Sequence, residues 1–85
     1  MMESNELREI VLAAFPGSEV RVEDMTGTGD HFEIEVVSQR FEGLSLIERH
    51  RLMHKALEGP MQGDVHAVKF KTYTPQEAEK RGSRT

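Results

Sequence analysis

The sequence contains 85 residues, carries a formal net charge of −4 and lacks cysteine. A chain of this length forms one domain and buries about 60% of the surface that its unfolded form exposes, so little core is left for a deep active site. Without cysteine it forms no disulfide and supplies no thiolate as nucleophile or metal ligand, and a small domain without disulfides is typical of an intracellular, cytoplasmic protein.

A first helix is predicted between Ser4, its N-cap, and Pro16-Gly17, which end it. Its apolar residues recur at the spacing of one helical face, at Leu7, Ile10, Val11, Ala14 and Phe15. The longest apolar run of the sequence lies in this helix and is much shorter than the roughly 18–20 residues that span a membrane. We therefore expect no association with a membrane.

Two strands are predicted to follow this helix. Residues 19–23 form a short alternating strand, and residues 26–30 form a glycine-rich turn. In the second strand Phe32, Ile34 and Val36 alternate with two acidic residues, Glu33 and Glu35. The apolar face of this strand is expected to meet helices, and the acidic face is expected to lie in solvent.

A second helix is predicted to begin at a capping box formed by Ser45 and Glu48 and to continue to about Leu57. Its buried stripe is predicted to contain Leu46, Met53 and Leu57. Gly59-Pro60 is expected to end the helix, because proline cannot continue it.

A third strand is predicted over residues 65–73. Its two faces are predicted to hold His66, Val68 and Phe70 on one side, and Lys69 and Lys71 on the other. Thr74 and Glu77 form a second capping box with proline at the first helical position, so a short last helix should follow.

The predicted order of elements is therefore α-β-β-α-β-α, which indicates an α+β fold. One three-stranded sheet with helices packed on one side buries these apolar faces most simply. Residues 1–81 are expected to form the single domain, and residues 82–85 are expected to form a flexible C-terminal tail.

Two histidines of the second helix, His50 and His54, lie four residues apart, so both rings could reach one metal ion. The metalloprotease motif needs a glutamate between them, which this sequence lacks, and a solvated or core-edge position is more common for such a pair. For a histidine such as His66, taken alone, a partly buried structural role is also the more common one. No P-loop, nucleophile elbow or nucleophile–base pair is present, so we expect no enzymatic activity.

Charge is distributed unevenly, since residues 1–38 carry a net charge of −7 and residues 39–85 a net charge of +3. An acidic chain is a poor general nucleic-acid binder, but the basic second half leaves a local basic face open. The candidate partner or nucleic-acid surface consists of Arg49, His50, Arg51, Lys55, Lys69 and Lys71. A solvated helix face is the default interpretation of such residues.

Four segments taken together resemble the BolA family. They are residues 38–45 (SQRFEGLS), 49–54 (RHRLMH), 65–68 (VHAV) and 73–75 (YTP). Each segment is a weak motif, but they occur in the family's order and spacing, and the resemblance extends over about residues 5–80. It implies a fold similar to class II KH domains, which agrees with the predicted order of elements.

The resemblance also implies a function beside monothiol glutaredoxins, in iron–sulfur trafficking or iron homeostasis. In that family the glutaredoxin cysteine and glutathione supply two ligands to a shared [2Fe-2S] cluster. The BolA-like partner supplies one ligand from the head of the third strand, which is His66 here. The other comes from the loop between the first two strands, where His31 is the candidate and Asp30 is an oxygen alternative.

A nucleic-acid-binding transcriptional regulator is the alternative function that the resemblance implies. KH-type binding uses a Gly-x-x-Gly loop. Here Gly27 and Gly29 are two residues apart, and Gly59 and Gly63 are four apart. DNA is therefore expected to be at most a weak partner, and the protein alone is expected to be a monomer or a weak homodimer.

Overall fold

The computed structural model describes residues 2–27, 29, 31–63, 65 and 67–82. Its elements in chain order are α1 (Ser4–Ala14), β1 (Glu19–Asp24), β2 (His31–Val37), a 3-10 turn (Gln39–Phe41), α2 (Leu46–Ala56), α3 (Glu58–Met61), β3 (Ala67–Tyr73) and α4 (Pro75–Gly82). The predicted α+β order is confirmed, and the 3-10 turn and the single-turn helix α3 are additions to it. The predicted tail lies outside the described residues except for Gly82, which ends α4.

The strands form one sheet in the order β1-β2-β3, with β2 at its centre. β1 and β2 are antiparallel, whereas β2 and β3 are parallel. Parallel neighbouring strands need a long crossover connection, and here the segment that contains α2 and α3 forms this connection between β2 and β3. The sheet therefore brings the first residues of β2 and β3 to the same end.

One face of the sheet forms the core, as the alternation in β2 predicted. Phe32, Ile34 and Val36 are buried there. Residues of the helices complete this core, namely Leu7, Val11 and Phe15 from the first helix region, and Met53 and Leu57 from the second. Since burial of each large apolar side chain contributes about 1.5–3 kcal/mol, these contacts supply most of the driving force for folding.

Leu46 is 65% exposed, although the sequence predicted it in the buried stripe of α2. Its spacing from Met53 puts both on one side of the helix, but Leu46 is the first residue of α2 and the described residues leave most of its surface exposed. Ile47 beside it is 67% exposed. Helical spacing predicts the direction in which a side chain points. It does not predict whether another element packs against that side chain.

Two predicted capping boxes are confirmed. The Ser45 N–H donates to Glu48 Oε1 at 2.9 Å and the Glu48 N–H to Ser45 Oγ at 3.2 Å. The Thr74 N–H donates to Glu77 Oε1 at 2.9 Å and the Glu77 N–H to Thr74 Oγ1 at 3.1 Å. Both helices therefore begin where the sequence indicated.

The predicted N-cap of the first helix is wrong, whereas α2 ends at Ala56 with Leu57 as its C-cap, close to the predicted end. The N-cap of α1 is Glu3 rather than Ser4, and the Glu3 N–H donates to Glu6 Oε1 at 2.9 Å. Gly59 and Pro60 lie inside α3 instead of ending a helix. Pro60 is the third residue of α3, where a backbone N–H has no acceptor within the helix, so proline removes no hydrogen bond there.

The last turn of α4 reaches the opposite face of the sheet. The Arg81 guanidinium carbon lies 4.3 Å from the centre of the Tyr73 ring, and Arg81 Nη1 lies 3.9 Å from Glu35 Oε2. No helix among the described residues is long and apolar enough to cross a membrane.

Candidate functional site

The candidate site lies where β2 and β3 begin. His31 is the first residue of β2, and its partner across the parallel ladder is Ala67, the first residue of β3. His31 is exposed. His66 directly precedes Ala67 in the sequence but lies outside the described residues, as does Asp30. The structure thus places His31 beside the residue that follows His66 in the chain.

A closed turn holds His31 at this end of the sheet. Asp24 Oδ1 and Oδ2 accept hydrogen bonds from the N–H groups of Gly27 and Gly29, each at 2.9 Å, and the Met25 N–H donates to the His31 carbonyl at 2.8 Å. Gly27 and Gly29 have φ angles of 75° and 79°, a conformation that side chains disfavour. The glycine-rich turn therefore leads β2 back against β1 with His31 at its first position.

His31 belongs to the open face of the sheet. Its neighbour Phe32 is buried in the core, so alternation directs His31 to the other face, with Ala67 and Lys69. Val68 and Phe70 lie on the core face, the side that the sequence predicts for His66.

Arg49 is 7% exposed, which corrects its assignment to a partner surface. Its Nη1 and Nη2 donate to the two Glu77 carboxylate oxygens at 2.8 and 3.2 Å, and its Nε donates to the Leu44 carbonyl at 3.1 Å. Burying a guanidinium costs free energy unless its charge is paired and its N–H groups are hydrogen-bonded, and these contacts supply both. Arg49 therefore joins α2 to α4, and its guanidinium is hydrogen-bonded within the protein.

The contact with Arg49 changes the pKa of Glu77. The hydrogen bond from Arg49, with a further one from the Thr74 N–H, lowers the pKa of Glu77 to about 2. Glu77 is thus ionised wherever the folded protein is studied near neutral pH. The sequence had indicated only its capping role, because Arg49 lies 28 residues away in the chain.

The remaining basic candidates divide into two groups. His50, Arg51 and Lys55 are exposed on α2. Lys69 and Lys71 lie on the open face of the sheet, where their Nζ atoms are 4.0 and 3.5 Å from Glu33 Oε2. The six predicted residues therefore do not form one surface, and the two lysines have part of their charge balanced by Glu33.

Metal-binding capacity within the described residues is limited. No group of three or more His, Cys, Asp or Glu side chains among them could hold a metal ion. A cleft of about 610 Å³, lined in part by Glu19, Ser38, Arg40 and Pro75, lies near the ends of β2 and β3, away from His31.

The family model described as BolA-like protein matches residues 10–77 of the sequence. The chain belongs to the BolA family. The uncharacterized protein RP812 of Rickettsia prowazekii is 35% identical to this chain over 69 residues, which are 81% of this chain and 90% of that protein. The resemblance that the four segments indicated is therefore confirmed.

Two other BolA relatives align over a shorter segment. BolA-like protein 1 of Bos taurus is 51% identical over 49 residues, which are 58% of this chain and 36% of that protein. The DNA-binding transcriptional regulator BolA of Vibrio cholerae is 43% identical over 51 residues, which are 60% of this chain and 48% of that protein. The aligned segment thus spans less than half of either relative.

Solved BolA structures have the same fold. A bolA protein homologue from Coxiella burnetii superposes with a TM-score of 0.80 at 39% identity, covering 93% of this chain and 99% of that chain. The BolA domain of SufE1 from Arabidopsis thaliana superposes with a TM-score of 0.78 at 32% identity, covering 87% of this chain and 93% of that chain. The BolA architecture predicted from the sequence is therefore confirmed.

Proposed function

We propose that this BolA protein shares a [2Fe-2S] cluster with a monothiol glutaredoxin and its glutathione, in iron–sulfur trafficking or iron regulation. In this function it is a binding partner and not an enzyme. The observation that supports the proposal is the pairing of His31 with Ala67, which brings an exposed imidazole beside the chain that carries His66. Both ligands would reach iron beyond the end of the sheet.

The ligand types that this chain contains support the proposal of a shared cluster. The chain has no cysteine, so sulfur ligands must come from the partner. Imidazole ligands on one iron remove negative charge from the cluster and raise its reduction potential, as in Rieske centres. Because a protonated imidazole cannot bind iron, such a cluster is also released more readily as the pH falls, which suits transfer or sensing.

A reconstitution experiment tests this function. The purified protein is mixed with a monothiol glutaredoxin, iron, sulfide and glutathione, and the cluster is followed by visible absorption and circular dichroism. We expect a heterodimer in size-exclusion chromatography and a spectrum that differs from that of the glutaredoxin alone. An unchanged spectrum without a heterodimer would exclude the proposal.

Variants locate the ligands. His66→Ala and His31→Ala should each change the spectrum or the lifetime of the cluster more than His54→Ala, which removes an imidazole from α2 instead. If only His66→Ala has an effect, the second ligand is not His31, and Asp30→Ala is the next variant to measure.

Transcriptional regulation through DNA binding is the second candidate, and the name of the Vibrio cholerae relative favours it. The exposed residues Arg51 and Lys55 on α2 would contact phosphates. The test is a duplex titration at several salt concentrations. Weak binding that does not depend on the DNA sequence would exclude a specific regulator.

A further inference from the structure

We propose that His50 and His54 form a second metal site that binds one borderline divalent transition-metal ion, such as Zn²⁺. This site lies on α2, apart from the first residues of β2 and β3, and does not depend on the proposed glutaredoxin partnership.

The position of the two rings is the first support. His50 and His54 are one helical turn apart, and both are exposed. Both contact the same aromatic ring edge-on, since their ring centres lie 5.8 and 5.2 Å from the centre of the Phe70 ring. The two imidazoles therefore lie one helical turn apart on the side of α2 that faces β3.

The nitrogens of both rings are the second support. Within the part of the chain that the structure describes, neither His50 nor His54 makes a hydrogen bond or an ion pair, and Phe70 is their ring partner. The interplanar angles of these contacts with Phe70 are 68° for His50 and 90° for His54. No hydrogen bond or ion pair among the described residues therefore has to break before either imidazole binds a metal ion.

Helix geometry suits two ligands. Side chains four residues apart have Cβ atoms about 5–6 Å apart, and zinc binds imidazole nitrogen at about 2.0–2.1 Å, so two rings can occupy neighbouring coordination positions. Neutral imidazole favours Zn²⁺, Cu²⁺ and Ni²⁺ over Mg²⁺ or Ca²⁺. Phe70 restricts the rotamers of both rings, which lowers the entropy that binding must overcome.

Two features limit the affinity. No third protein ligand is close among the described residues, so water must complete the coordination sphere. Arg51 and Lys55 are exposed on the same helix and repel a cation. We therefore expect a readily exchanged ion with a dissociation constant on the order of micromolar or weaker.

Titration of the full chain with ZnCl₂, without glutaredoxin, iron or sulfide, tests the site. Isothermal calorimetry should give one Zn²⁺ per chain, and the imidazole resonances of His50 and His54 should shift in NMR spectra. His50→Gln and His54→Gln should each weaken binding by at least about tenfold, because one imidazole loses the chelate. Thermal melting without metal confirms that each variant is folded.

Two further variants separate this site from the alternatives. Phe70→Leu keeps both ligands but frees their rotamers, so binding should weaken while the stoichiometry stays at one. The double variant His31→Gln/His66→Gln should still bind Zn²⁺. Loss of binding in that double variant, or unchanged binding in His54→Gln, would overturn the proposal and leave the glutaredoxin proposal unaffected.

Discussion

The two ends of the sheet differ in how the chain uses its polar groups. Where β3 ends, Arg49, Glu77 and Thr74 bond to one another and join α2 to α4. Where β3 begins, the Asp24 carboxylate and one backbone hydrogen bond close the β1–β2 turn, and His31 is exposed. We expect the first end to matter for stability and, under the proposed function, the second end to matter for binding a partner, so substitutions should affect the two properties separately.

The largest loss of stability should come from Phe41→Ala, at the end that holds Arg49. Phe41 is fully buried, and its ring centre lies 5.4 Å from that of Phe15, while the Arg49 guanidinium carbon lies 5.9 Å from it. Removing a buried phenyl ring leaves a cavity, so we expect a loss of about 3–5 kcal/mol. Urea unfolding measures this loss, and a value near zero would contradict the assigned core.

Glu77→Gln should have the next largest effect. The substitution keeps the side-chain size but removes the charge that accompanies the nearly buried Arg49 guanidinium, so the melting temperature should fall. Glu79→Gln on the exposed side of the same helix is the matched control and should have little effect. Equal melting temperatures for the two variants would show that the Arg49–Glu77 contact does not stabilise the fold.

Acid should destabilise the folded protein through the contact between Arg49 and Glu77. The pKa of Glu77 in the folded protein is about 2, below its ordinary 4.5, because Arg49 and the Thr74 N–H bond the carboxylate. Its contribution to stability is therefore complete above pH 4.5 and is lost as the pH falls toward 2. Unfolding measured from pH 6 to 2 should lose less stability in Glu77→Gln than in the parent protein.

A matched pair of threonines should give smaller effects of opposite sign. Thr72 Oγ1 is buried without a hydrogen-bond partner among the described residues, so Thr72→Val should raise stability by about 1 kcal/mol. Thr74 Oγ1 caps α4, so Thr74→Val should lower stability by about 1 kcal/mol. Denaturant midpoints of both variants test this, and a loss in Thr72→Val would mean that its hydroxyl has a bonded water.

The smallest effect on stability should come from His31→Ala at the opposite end. The side chain is exposed, so we expect a change within about 0.5 kcal/mol. Under the proposed function, the same variant should alter the cluster spectrum in the reconstitution experiment. A large loss of stability would mean that His31 supports the fold, and the proposed separation between the two ends would then be wrong.

Most elements of this fold could be predicted because their signals are local. The alternation of Phe32, Ile34 and Val36 gave the buried face of β2, and the pairs Ser45–Glu48 and Thr74–Glu77 gave two helix starts. Such signals depend on residues within one turn or strand, so no knowledge of distant contacts is needed.

The errors at Arg49 and Leu46 arose because the role of each residue depends on a distant segment. Arg49 has the spacing of a basic helix surface but bonds to Glu77 of α4, and Leu46 has the predicted helical direction but is left 65% exposed by the described residues. The candidate site could be predicted from the sequence only in part. Motifs indicated His31 and His66, but only strand pairing showed that His31 is adjacent to the first residue of β3.

The amino-acid sequence alone determined the order of the main elements, the buried face of β2, the BolA resemblance and the lack of any cysteine ligand, since each follows from local pattern or composition. Tertiary structure decided that Arg49 is buried, that Leu46 is exposed and that His31 lies beside Ala67. These outcomes depend on which segments of the chain contact one another in the folded protein. The spacing of residues within one helix or strand does not specify those contacts.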